Sequence, residues 1–234
     1  MNDHAISVLP RAHEAHTPSL QRPCLACVLR ERYPGGPLAA AIQVHDWPAH
    51  ALLQRQQGTI LRLHAVCSGL GALQRLSENG LERTIRLVEP GDVTGLEGLV
   101  GLPAQSNAIT LLPTRTCSIP LEALLTHARQ DVWLSQTLYA LWMAALQRAD
   151  FVIAELSTGS AQARVARLLI HLSDLCGTHG TPDLPRSDMA ALMGLTVETV
   201  SRTMAALQRE GLISHRNGWL VCDSARLKAA SAAG

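Results

Sequence analysis

Residues 184–220 read LPRSDMAALMGLTVETVSRTMAALQREGLISHRNGWL. Gly194 follows the apolar residues of a short first segment, Ser187 to Met193, where a left-handed helix C-cap is wanted, and Thr196 stands where the next helix needs an N-cap. The second segment, from Val197 to about Arg209, carries Val200, Met204 and Leu207 at the i, i+4, i+7 spacing of one buried stripe. Gly211 stops it. Leu212 to His215 and Trp219 to Val221 then flank Arg216-Asn217-Gly218, and Asn-Gly between apolar runs is a strong short-hairpin signal. The stretch therefore predicts helix, tight turn, helix and hairpin.

A winged helix-turn-helix of this kind presents the N-terminal end of its second helix to base edges in the DNA major groove. Val197, Glu198, Ser201 and Arg202 lie together at that end. A carboxylate there can accept from a cytosine amino group, and a guanidinium can grip guanine or a phosphate. Net charge is only +1, so attraction to nucleic acid has to come from locally placed arginines such as Arg186, Arg202, Arg209 and Arg216. No nucleophile-base constellation and no phosphate-binding glycine loop supports an enzyme.

Leu195 to Arg202, LTVETVSR, followed by the Arg-Glu-Gly-Leu-Ile hairpin entry, resembles the DNA-binding domain of the CRP/FNR family of bacterial transcription regulators. The resemblance implies that Glu198, Ser201 and Arg202 read bases. The cAMP-responsive branch has an arginine directly before the glutamate; Val197 stands there instead, which implies the FNR type of palindrome, TTGAT facing ATCAA. It also implies a homodimer on double-stranded DNA, and RNA polymerase as a further partner.

The chain has 234 residues, 47% of them hydrophobic, enough for one or two ordinary cores, and no stretch long and apolar enough to cross a bilayer. Residues 1–22, with His4, His13 and His16, lack periodicity and an apolar leader core, which reads as a mobile tail on a cytoplasmic protein. From 23 to 120, short apolar runs (Ile60–Val66, Gly71–Leu76, Arg83–Val88) alternate with turns at Gly58, Ser68-Gly69, Glu78-Asn79-Gly80 and Glu89 to Asp92. That is the rhythm of an antiparallel barrel or sandwich. It resembles the family's β-roll sensor domain, cupin-like and double-stranded. The nucleotide-binding branch closes its phosphate loop with an arginine segment; here Gly95-Leu96-Glu97-Gly98 is followed by Ala104-Gln105-Ser106-Asn107-Ala108, without one. A cyclic nucleotide is disfavoured, and Glu97 reads as a turn or interface residue.

Six cysteines without a secretion signal read as reduced thiols, buried fillers or metal ligands. Cys24 and Cys27 are spaced to face one tetrahedral metal or one iron-sulfur cluster. Cys117, before Ile119-Pro120, stands where the FNR branch places its distal 4Fe-4S ligand. That branch spaces its N-terminal ligands Cys-x2-Cys-x5-Cys, and Tyr33 occupies the third place here. Cys67 or an acidic or water ligand could complete the site, though Cys67 at a strand end reads first as a small core residue. A disulfide switch pairing Cys24 or Cys27 with Cys117 needs only the thiols present. Cys176 and Cys222 read as fillers. In a second reading, the roll holds a small organic effector or haem, with His45, His50 or His64 as iron ligands.

Residues 121–156 contain neither Gly nor Pro and predict one long helix whose Leu134, Leu138, Leu141, Ala145 and Val152 share a seam. The resemblance makes this the dimerisation helix. Ser157 to Ser160 is a hinge, and residues 157–234 form the DNA-binding domain. The expected fold is α+β: β-roll sensor, long dimerisation helix, winged helix-turn-helix.

Overall fold

The computed structural model describes residues 23–76, 82–176 and 180–232. The expected tail at 1–22 and the Glu78-Asn79-Gly80 turn lie outside the described residues. The chain forms two compact units: residues up to Arg75 with Arg86–Gln147, and Leu76–Ile85 with Arg148 onward. No described helix is long and apolar enough to cross a membrane.

From its first helix the chain runs α1 (Leu25–Arg32), α2 (Pro37–Ala40), β1 (Gln43–Trp47), β2 (Leu52–Gln54), β3 (Arg62–Ser68), β4 (Gly71–Leu76), β5 (Glu82–Val88), β6 (Val93–Thr94), a 3-10 turn (Leu96–Val100), β7 (Asn107–Thr110), β8 (Thr114–Pro120), α3 (Leu121–Ala128) and α4 (Val132–Phe151). Two four-stranded sheets form, ordered β1-β8-β3-β6 and β2-β7-β4-β5. Their strands are distant in sequence, as a roll requires. The period-2 alternation gives the first sheet two faces. On one, Leu63 and Ala65 of β3 and Cys117 and Ile119 of β8 pack into a core with Leu25 and Leu29 of α1, Leu124 of α3, and Leu134 and Leu138 of α4. On the other, Val66 joins Leu73, Val88 and Ala108 of the second sheet. Each fully buried leucine contributes about 1.5–3 kcal/mol relative to exposure.

One long helix was expected at 121–156; the structure has α3, a break at 129–131, α4, and a π-helical turn at Val152–Leu156. The break needs no Gly or Pro. Asp131 Oδ1 accepts from the Trp133 backbone N–H at 2.9 Å, capping α4, while the Ser135 hydroxyl donates to the last carbonyl of α3, Ala128, at 2.7 Å.

Burial divides the residues of the expected dimer seam. Leu134 is fully buried and Leu138 and Val152 nearly so, all within their own chain, and Leu141 and Ala145 pack partly buried against the first unit's core. The first unit's core already covers Leu134 and Leu138, and covers Leu141 and Ala145 in part. A second apolar face stays open: Val132, Tyr139, Met143 and Leu146 are 73%, 63%, 55% and 54% exposed.

The second unit contains α5 (Ala161–Cys176), α6 (Arg186–Met193), α7 (Val197–Arg209), β9 (Ile213–Arg216), β10 (Trp219–Cys222) and α8 (Ser224–Ala232). Helix α5 buries Val165, Leu168, Leu169 and Leu172, and packs against α6, α7 and α8. Helix α8, whose Leu227 is fully buried, was not anticipated.

Candidate nucleic-acid interface and cysteine centre

The turn between α6 and α7 is built by local chemistry. Gly194 sits at φ 62°, ψ 36°, a left-handed C-cap that any Cβ would strain, and the Thr196 hydroxyl accepts from the Thr199 backbone N–H at 3.2 Å. Val200, Met204 and Leu207 turn inward. The opposite face leaves Val197, Glu198, Ser201 and Arg202 exposed together on the first turns of α7. The backbone N–H at its own position in that free helix end, the Thr196 hydroxyl and Arg202 hold the Glu198 carboxyl below its usual range, so it is a fixed anion and acceptor.

The wing turns on Asn217 (φ 52°) and Gly218 (φ 81°), with Arg216 paired opposite Trp219, the geometry of a two-residue type I′ hairpin. Arg216 is exposed there. Arg186, grouped with the DNA contacts by sequence, donates to Asp183 Oδ1 at 2.8 Å and to the Leu184 carbonyl, and Asp183 also meets His215 Nε2 at 2.9 Å. Burial pushes the Asp183 carboxyl up, and these two partners more than offset that, leaving it low. The trio fastens the loop before α6 to the wing; sequence spacing gave no sign of it.

The cysteine centre draws on three elements. Cys24 is the N-cap of α1, whose first turn also brings Cys27; Cys67 comes from β3 and Cys117 from β8. The Sγ–Sγ separations are 3.6 Å for Cys24–Cys27, 3.2 Å for Cys24–Cys67 and 3.4 Å for Cys67–Cys117. Cys67 is thus no isolated core filler: it joins the thiols of Cys24 and Cys117. Burial and the neighbouring thiols push Cys117 up to about 11, and the hydrogen bond with Cys24 together with burial raises Cys27 strongly. The four thiols fit a 4Fe-4S cluster poorly, because that core holds its terminal thiolates roughly 6 Å apart.

Tyr33, at the place of the family's third ligand, points elsewhere. Its hydroxyl donates to Asp131 Oδ2 at 2.6 Å, Arg32 pairs with the same oxygen at 3.5 Å, and the Arg32 guanidinium lies 5.4 Å over the Trp133 ring. Helix α1 therefore carries thiols at its start and, just past its end, a grip on the cap of α4. Cys176 is buried and Cys222 bonds the Thr181 hydroxyl; neither joins the centre.

Of the three histidines considered as iron ligands, His45 and His64 come together with Trp47, ring centroids 5.8–6.4 Å apart, while His50 is exposed on the loop after β1. His45 Nε2 is hydrogen-bonded to Ser118 Oγ at 2.9 Å. Burial, then the nearby His45 and Arg62, lowers His64 to about 4. Above the usual histidine value near 6.5 both folded and unfolded forms are neutral; as pH falls from there toward 4, the unfolded chain takes up a proton that the folded chain refuses. We expect roughly 2 kcal/mol of stability to be lost across that window after allowance for solvent screening. Urea unfolding of His64→Gln at pH 7 and pH 4.5 should show that loss reduced, and an unchanged difference would contradict it. The phosphate-loop counterpart is the 3-10 turn, in which Glu97 Oε1 accepts from the Gln105 N–H at 3.5 Å, and Asn107 Oδ1 accepts from the Gln56 N–H at 2.8 Å.

Comparison with known proteins matches residues 44–131 to the cyclic nucleotide-binding domain and residues 163–230 to the Crp-like helix-turn-helix domain. The nitrogen fixation regulation protein FixK of Azorhizobium caulinodans is 32% identical over 159 residues, 65% of this chain and 63% of that protein. The anaerobic regulatory protein of Pasteurella multocida is 28% identical over 158 residues, 65% of this chain and 58% of its own length. The chain thus spans about 60% of the length of these curated relatives. Among solved structures, FixK2 from Bradyrhizobium japonicum superposes with a TM-score of 0.73 at 23% identity, covering 82% of this chain and 98% of that one, which speaks for the fold. Two sheets in roll order, a capped two-helix reader with its wing, and these matches lead to one assignment: the chain belongs to the CRP/FNR family.

Proposed function

We propose that the protein is a homodimeric, sequence-specific DNA-binding transcription regulator whose operator affinity is set by the redox state of its four-thiol centre. The observation that carries the DNA reading is the exposed group Val197, Glu198, Ser201 and Arg202 on the capped N-terminal turns of α7, with Arg216 on the wing. Its target is an FNR-type palindrome, and RNA polymerase is its further partner at a promoter. Relatives named for anaerobic regulation and nitrogen fixation support an oxygen or redox signal.

The chain's own residues supply a route for that signal. Oxidation of a close pair such as Cys24 and Cys67, 3.2 Å apart, forms one S–S bond, releasing two protons and passing two electrons to an oxidant such as a peroxide. The new bond draws the sulfurs to about 2 Å and displaces the start of α1. Tyr33 then loosens from Asp131, and α4 loses part of its cap. A shift in α4 changes how two copies pair and hence how two α7 helices meet a two-fold operator. The thiols sit in the same core as Leu134 and Leu138 of α4, which shortens the path.

Tyr33→Phe tests the link. The variant should keep its operator affinity in reductant, while the factor by which oxidation changes that affinity shrinks toward one. Fluorescence anisotropy on a labelled palindrome reads both; an unchanged oxidation response would mean that the Tyr33–Asp131 bond carries no signal. The DNA reading itself is tested by gel shift on the palindrome against a scrambled duplex, and equal affinity for the two would sink it.

A further inference from the structure

The regulation described above requires only thiols, and the arrangement of the four sulfurs carries that same reading one step further. When four thiolates surround one tetrahedral ion at about 2.3 Å each, every pair of sulfurs is about 3.8 Å apart. The Cys24–Cys67 and Cys67–Cys117 separations of 3.2 and 3.4 Å lie close to that edge, and the sulfurs of Cys24, Cys67 and Cys117 all fall within 4.8 Å of one another; Cys27 stands outside this group of three, 3.6 Å from Cys24. Three corners of one tetrahedron are thus in place, and a turn of the Cys27 side chain beside Cys24 supplies the fourth.

A second observation comes from the backbone. In the β3–β8 ladder Val66 pairs with Thr116 and Ser68 pairs with Arg115, so Cys67 is an extra residue with no partner of its own. Such a bulge re-aims a side chain, and at this one the Cys67 thiol meets those of Cys24 and Cys117. Regular alternation would not have placed Cys67 and Ser68 opposite a single residue. Meanwhile Tyr33, at the position of the family's third N-terminal ligand, is engaged with Asp131. The chain thus gathers three thiols by a different route and holds the fourth, Cys27, beside Cys24, with two arginines in electrostatic reach: Arg30 acts on Cys27, and Arg115, paired chiefly with Asp46, also feels Cys67 and Cys117.

We infer that Cys24, Cys27, Cys67 and Cys117 form a tetrahedral four-thiolate site for a single divalent d-block ion, zinc or ferrous iron, with Cys67 of the β3 bulge as the ligand that replaces the missing third N-terminal cysteine. Loading exchanges four S–H protons for one ion, and no electron moves.

The test uses the full-length chain purified anaerobically in reductant, with zinc, iron, acid-labile sulfide and free thiols quantified together. The site predicts one ion per chain without labile sulfide, and the metal found distinguishes zinc from iron. Cobalt(II) added to the metal-free protein should give the intense visible bands of a tetrahedral thiolate complex. Cys67→Ser and, at the less buried position, Cys27→Ser should each weaken metal uptake at least tenfold, while Cys176→Ser leaves it unchanged; circular dichroism checks that all three fold. Four irons with four sulfides per chain, or a folded parent that takes up none of zinc, iron and cobalt, would overturn the site and leave the regulator reading standing. One bound ion whose removal by a chelator leaves operator affinity unchanged would support the site and count against the regulator reading.

Discussion

Tyr139→Glu should leave the chain folded but monomeric. Val132, Tyr139 and Leu146 recur at seven-residue intervals along α4, with Met143 between them, so they form one stripe, and each is more than half exposed. A two-fold axis beside this stripe brings every residue near its own copy, so one substitution acts twice. A carboxylate there is buried without a counter-ion against a second like charge, at a cost of about 3–5 kcal/mol. That weakens dimerisation by a factor of roughly a hundred to a few thousand. Sedimentation equilibrium measures the loss, and operator affinity should fall with it because a monomer reaches only one half-site. The other face of the same helix gives the contrast: Leu134→Ala should lower monomer stability by about 2–5 kcal/mol through the cavity it leaves, with much less effect on association per folded molecule. A Tyr139→Glu protein that sediments as a dimer would place the seam elsewhere.

Arg202→Ala and Glu198→Ala should each weaken binding to the FNR-type palindrome by about 1–3 kcal/mol per lost base contact. Both side chains are exposed on the first turns of α7, away from Val200, Met204 and Leu207, so the fold has no need of them. Affinity for a scrambled duplex should change little with Glu198→Ala, since the native carboxylate repels phosphate and contributes only through a base. Should Arg202 grip a phosphate instead of guanine, its loss would weaken all sequences alike and lower the salt slope by about one. Competition titrations at several salt concentrations separate these outcomes, and unchanged palindrome affinity in both variants would remove them from the reader.

What the sequence made legible was local. Gly194, Thr196 and Asn217-Gly218 act on their own backbone within a few residues, and the structure gives each the conformation its side chain demands. The strand rhythm of the roll was legible for the same reason. What stayed hidden was set by distance or by choice between equals. Cys67 meets thiols 43 and 50 residues away across a bulge that no alternation pattern records. Tyr33 finds Asp131 across 98 residues, and the same carboxylate caps α4 after the break. Helix α4 is apolar on two sides, so spacing alone could not say which side faces the roll. Arg186 pairs with Asp183, which also reaches His215 32 residues away on the wing.

The central claim, that the four-thiol centre governs the DNA reader, is tested most directly by the anisotropy of a labelled palindrome titrated with the full-length chain, reduced and then oxidised by peroxide. The account predicts a change in affinity of about tenfold or more, reversed by reductant and absent in Cys67→Ser. Superimposable titration curves for the parent before and after verified oxidation of its thiols would contradict it.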